Sequence, residues 1–186
     1  MRIIAGKYKK RRLKSVPGYG TRPTSDYNRE MLFATEQDVK GKKILDLFAG
    51  TGSFGLEALS RGAKWVDFVE FANAAVGTIL DNINTLGCGN DCHLYRKKVE
   101  SYVQSCEDKY DIIFLDPPYN KGLVNPVLSM ILERDMLSDG GQIIVEHAKY
   151  EDISPENMKY VFREKKGRDT RFSWLDPSLE HSPDHD

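Results

Sequence analysis

The sequence predicts an α/β domain built on a mostly parallel sheet with helices on both faces. Three observations carry this. From residue 43 onward, short apolar runs alternate with segments of helical spacing. The runs are continuously apolar, as in strands covered on both sides. Polar residues then fall at or near their carboxyl ends: Asp46, Glu70 and Asp116. In such sheets, ligands sit beyond the carboxyl ends of the strands.

Taken in order, RIIAGKYKKRRLKSV (2–16) reads as a basic hairpin ending at Pro17-Gly18. TRPTSDYNREMLFATEQDV (21–39) reads as a loop that becomes a helix after Pro23. Thr24 and Ser25 are its candidate caps, and Met31, Leu32, Phe33 and Ala34 supply apolar surface. KILDLF (43–48) is a strand, SFGLEALSRG (53–62) a short helix closed by Gly62, and WVDFVE (65–70) the next strand. In NAAVGTILDNINTLG (73–87), Val76, Ile79, Leu80, Ile83 and Leu86 recur at helical spacing, and Gly87 marks the stop. CHLYR (92–96) is a weak strand and ESYVQSC (100–106) a short helix. YDIIFLD (110–116) is the strongest strand. Asn125 and Pro126 suit the cap and first turn of a helix reaching about Arg134. GGQIIVEH (140–147) is a fifth strand, and KYVFREK (159–165) with RFSWLD (171–176) makes a closing pair. Residues 177–186 read as a disordered tail.

Composition narrows the function classes. The chain has 186 residues, 40% hydrophobic and 30% charged, which suits one globular domain with a small extension. No apolar run approaches the roughly 18 residues of a membrane span, and no secretory signal is visible, so a cytoplasmic location is expected. Cys88, Cys92 and Cys106 form no CxxC pair and read as free thiols. Cys88, Cys92 and His93 lack a standard zinc spacing, so no metal is expected. The net charge of −1 hides a segregation: residues 1–43 carry +8 and the remainder −9. GKYKKRRLK (6–14) interleaves a tyrosine with cations. That composition suits a polyanion's phosphates, and equally a solvated arm.

Two motifs carry chemistry. Gly50, Gly52 and Gly55 spell G-x-G-x-x-G between a strand and a helix, with Glu70 ending the next strand. This arrangement suits an adenosine cofactor, with the Glu70 carboxylate accepting from the ribose hydroxyls; the bland alternative is a turn that only packs. A dinucleotide would place its pyrophosphate at the helix N-terminus. S-adenosylmethionine has no phosphate, and its sulfonium and ammonium favour nearby acid such as Asp46. The second motif is DPPY, Asp116 to Tyr119. An exocyclic amine is a poor nucleophile because its lone pair is delocalised. The Asp116 carboxylate and Pro117 carbonyl can draw on its two N–H bonds. Pro118 restrains the Pro117 backbone, and Tyr119 offers a stacking ring. The plainer alternative is a strand followed by a proline turn.

RIIAGKYKKRRL, TRPTSDYNREMLF, LDLFAGTGSFGLEALSRGA, FVE and IIFLDPPY together resemble the RsmD family of class I methyltransferases, over residues 2 to about 147. The resemblance implies a Rossmann-like fold with a mostly parallel seven-stranded sheet and a basic N-terminal hairpin. It divides the chain into an RNA-binding extension (1–25), a methyltransferase domain (26–176) and the tail (177–186). It implies methylation of a guanine 2-amino group in 16S ribosomal RNA, free or within an assembled or assembling small subunit, using S-adenosylmethionine; a monomer is the default expectation for the chain. By matching position, Asp46, Phe48, Ala49, Gly50 and Gly52 would line the methionine end, Thr51 would also meet the cofactor, and Glu70 would hold the ribose. Phe71 and the Val99 backbone would meet the adenine, and Thr24 would lie near the cofactor. Asp116, Pro117, Pro118 and Tyr119 would form the amine pocket. Lys7, Lys9, Lys10, Arg11, Arg12, Arg22 and Arg29 would meet RNA. Lys98 stands where relatives carry a small polar or acidic residue for the adenine amine. The alternatives are a DNA adenine amino-methyltransferase and a non-catalytic ribosome-binding factor of the same fold.

Overall fold

The computed structural model describes residues 1–18, 26–35, 38–167 and 169–179. Helix α1 (Asp26–Thr35) precedes β1 (Lys43–Leu47), α2 (Ser53–Ser60), β2 (Trp65–Glu70), α3 (Asn73–Leu86), β3 (Cys92–Arg96), α4 (Val99–Ser105), β4 (Tyr110–Leu115) and α5 (Val124–Glu133). Then come β5 (Leu137–Ala148), α6 (Pro155–Met158), β6 (Val161–Lys166) and β7 (Thr170–Leu175). The seven strands lie in the order β3-β2-β1-β4-β5-β7-β6. β1 to β5 pair in parallel, and β7 runs antiparallel between β5 and β6.

The strand order reverses between β1 and β4, where Leu47 stands opposite Leu115. Both strands therefore leave the sheet at the same level, which opens a crevice at the switch point.

Alternating side chains of these strands feed two cores. On one face, Ile44, Phe68, Phe114, Ile144 and Trp174 pack under α1, α2, α3 and the N-terminal segment. Phe54 of α2 stacks on Phe114 at 3.9 Å and on Phe33 of α1 at 5.3 Å. On the other face, Leu47, Ile113, Leu115 and Val145 pack under α4 and α5. Gly55 is required by this packing: a Cβ there would sit 2.4 Å from the Phe68 ring and 2.7 Å from Val66.

The N-terminal hairpin is tighter than expected. Its extended part is a lone bridge between Arg2 and Arg12, closed by turns at residues 5–10. It is docked rather than frayed. Glu57, fully buried on α2, accepts from the Ile4 and Ala5 amides, and the Ser60 hydroxyl accepts from Tyr8 N–H. Asn82 on α3 accepts from Lys14 N–H and donates to the Lys14 and Thr51 carbonyls. Ile3, Tyr8 and Leu13 join the core beneath.

Other expectations shift. In α3 the buried stripe runs through Ala75, Thr78, Ile79, Asn82, Ile83 and Leu86, leaving Leu80 47% exposed. Asn82 is buried because the hairpin supplies its partners, which rotates the stripe. Asn125 does not cap α5, which begins one residue earlier; its carboxamide ties down residues 152 and 154. Helix α6 has no apolar periodicity to predict it. Thr24, Ser25 and residues 180–186 of the tail lie outside the described residues.

Candidate active site and nucleic-acid interface

The crevice is lined by the loop after β1 and the turn after β4. Asp46 is 2% exposed, and its carboxylate accepts from Gly55 N–H in the first turn of α2 at 3.1 Å. Burial pushes its pKa well above the usual carboxylate range, with the Glu70 charge adding to the rise. Phe48, Gly50 and Gly52 all adopt left-handed backbone, with φ of 58°, 59° and 76°. For Phe48 this conformation is strained. The loop is held in a tight turn by Gly52 N–H on the Ala49 carbonyl and anchored by Asn82 on the Thr51 carbonyl.

Glu70 ends β2 beside this loop. One oxygen accepts from Gly50 N–H at 2.9 Å, the other from Phe71 and Ala72 N–H at 2.7 and 2.9 Å. The carboxylate is thus fixed by backbone amides. Next to it the Phe71 ring is 59% exposed, with Lys98 Nζ 5.5 Å from its centroid. Val99 is buried at the start of α4. The predicted cofactor residues from Asp46 to Gly52, with Glu70, thus share one end of the sheet; Thr24 lies outside the described residues.

Across the crevice, Asp116 is half-buried, Pro117 buried and Pro118 exposed. The Tyr119 hydroxyl donates to Glu146 Oε1 at 3.0 Å, and Asn28 Nδ2 of α1 approaches the same oxygen at 3.4 Å. Glu146 is not among the residues that the sequence motifs single out. It ends an apolar run, IIVEH, just as Glu70 and Asp116 end theirs, so the same signal can find it.

The cations divide. Lys7, Lys9, Lys10, Arg11 and Arg12 are exposed on the docked hairpin. Arg11 also donates to the Thr85 carbonyl in the last turn of α3. Arg29 does not reach the surface: it is fully buried, donates to the Arg2 carbonyl and Asp26, and pairs with Glu57 at 3.5 Å. Its expected contact with RNA is replaced by a structural one, clamping α1, α2 and the hairpin together. Arg22 lies outside the described residues. A cavity of about 430 Å³ opens between hairpin and α1, lined by Met1, Arg2, Arg12, Leu13 and Asp26. Met1 Sδ lies 4.0 Å from the Thr51 hydroxyl, which links this cavity to the glycine-rich loop.

The family model described as Conserved hypothetical protein 95 matches residues 1–176. Ribosomal RNA small subunit methyltransferase D of Haemophilus influenzae is 34% identical over 162 residues, spanning 84% of this chain and 84% of its own. YlbH of Bacillus subtilis is 38% identical over 162 residues, spanning 85% and 88%. The solved structure of yhhF from Escherichia coli superposes with a TM-score of 0.81 at 31% identity, covering 94% of this chain and 96% of that one. The family model runs through hairpin, glycine-rich loop and DPPY turn alike, and the chain belongs to this family, the RsmD methyltransferases.

Proposed function

We propose that this protein methylates the 2-amino group of a guanine in small-subunit ribosomal RNA, using S-adenosylmethionine. The observation that carries the reading is the juxtaposition at the switch point. β1 and β4 are paired up to Leu47 and Leu115, so the glycine-rich loop and the DPPY turn leave the sheet side by side. The relatives' names support the reaction and the class of RNA.

The residues present fit the cofactor. Asp46 is a buried carboxylate whose ionisation the fold opposes, so a cationic group beside it would relieve the penalty. Glu70 is oriented by three amides at the end of β2, where ribose hydroxyls would be met, and Phe71 offers an exposed ring for the adenine. S-adenosylmethionine, when bound, supplies a methyl carbon made electrophilic by its sulfonium. Asp116 and the Pro117 carbonyl accept from the guanine amine and aim its lone pair. Because Pro118 restrains the Pro117 carbonyl, that acceptor needs little reorganisation as charge develops. Orientation of this kind contributes up to about 7–11 kcal/mol in ideal intramolecular cases. Tyr119 stacks the base, which must leave its own stack to enter. The hairpin cations grip flanking phosphates.

The test is incubation with labelled methyl donor and either small-subunit RNA or assembled subunits, followed by digestion to nucleosides. The expected label is in N2-methylguanosine. Label in N6-methyladenosine, or no transfer, would contradict the proposal.

A further inference from the structure

We infer that Glu146 is a specificity-determining residue of this site: its carboxylate accepts the N1–H of the target guanine while Asp116 and Pro117 hold the 2-amino group. The inference rests on the function proposed above. Leu115, the last residue of β4, pairs with Val145 of β5, so Asp116 and Glu146 come next on neighbouring segments of the chain. Adjacent parallel strands lie about 4.8 Å apart. Phe114 and Ile144 face the same core; alternation carries Glu146 to that face, and Asp116 is the first residue past the end of β4 beside it.

The hydrogen-bond pattern gives the chemistry. The Watson–Crick edge of guanine presents two adjacent donors, N1–H and the 2-amino group. Adenine and cytosine each present one donor beside an acceptor. Two neighbouring carboxylates therefore suit guanine, and a carboxylate facing a bare ring nitrogen would be repelled.

Glu146 is fully buried, and Oε1 holds the Tyr119 hydroxyl and the Asn28 amide, both neutral donors from the walls of the pocket. When the base enters, N1–H takes over the position that the Tyr119 hydroxyl holds in its absence. The buried carboxylate is satisfied before and after, which avoids the cost of an unpaired charge. Release of the hydroxyl lets the Tyr119 ring, 38% exposed, settle against the base.

The experiment compares two substrates. Small-subunit RNA is ligated so that the nucleotide methylated by the wild type carries either guanine or 2-aminopurine. The latter keeps the 2-amino group but has an unprotonated N1. Wild type should favour guanine by about ten- to hundredfold in kcat/KM, the range for one hydrogen bond to a charged group. Glu146→Gln keeps an oxygen for Tyr119 and adds an N–H that can meet N1 of 2-aminopurine, so the preference should narrow at least about tenfold. Tyr119→Phe, which removes only the hydroxyl, should keep the wild-type preference. A preference unchanged in Glu146→Gln, or lost equally in Tyr119→Phe, would overturn the role of Glu146. Wild-type protein that methylates neither substrate would overturn the parent reading and this one with it, a separate outcome.

Discussion

Asp46 shows at the level of one residue that a buried carboxylate in the site costs stability. Its carboxyl is buried and its pKa is raised in the folded chain, so folding favours the neutral form. The penalty is absent below the unfolded value near 3.8 and grows as pH rises from there to the folded pKa. Asp46→Asn should therefore stabilise the ligand-free protein at pH 7, by about 1–2 kcal/mol. The gain over wild type should shrink as the pH approaches 4. The same change should weaken S-adenosylmethionine binding by about tenfold or more, since it removes a charge-assisted interaction. Denaturant melts across pH and a binding titration check both halves. A variant destabilised at pH 7 would contradict the electrostatic assignment.

At the scale of elements, the hairpin depends on side chains that lie far away in the chain. Glu57 serves residues 53 and 52 positions earlier and pairs with Arg29 of α1. Glu57→Ala should cost about 3–5 kcal/mol, because it breaks a buried ion pair with Arg29 and takes the acceptor from the Ile4 and Ala5 amides. A denaturant midpoint shift measures it, and a loss under about 1 kcal/mol would mean that the clamp is not structural. This dependence explains which parts of the fold are legible in the sequence. Strands such as YDIIFL announce themselves by a continuous apolar run, and the loops by glycines and a terminal acid. Glu57, Ser60, Asn82 and Arg29 look like ordinary polar positions on helices, and only distant partners make them buried. The phase of α3 and the burial of Arg29 are illegible for that reason, and the charge of Arg29 by itself points to RNA. Glu146 carries a visible signal, an acid ending an apolar run, but it belongs to no motif that draws attention to it.

Over the whole molecule, charge and chemistry share one side. The hairpin, α1 and α2 cover the same face of the sheet toward which Asp46 and Glu146 make their contacts with Gly55 and Asn28. The basic hairpin thus lies over the same face as Asp46 and Glu146. RNA gripped by the hairpin would present a displaced base to the crevice beside it. Replacing Lys9, Lys10 and Arg12 by alanine should lower the slope of log affinity against log salt by roughly 0.7–0.9 for each phosphate no longer neutralised. An unchanged slope in filter-binding titrations would put the RNA on another surface. The measurement that tests the central claim most directly is single-turnover methyl transfer by Asp116→Ala, with S-adenosylmethionine affinity measured alongside. A fall of at least about a hundredfold in rate with cofactor affinity unchanged is the predicted result. A near-normal rate would contradict the claim that this carboxylate orients the guanine amine.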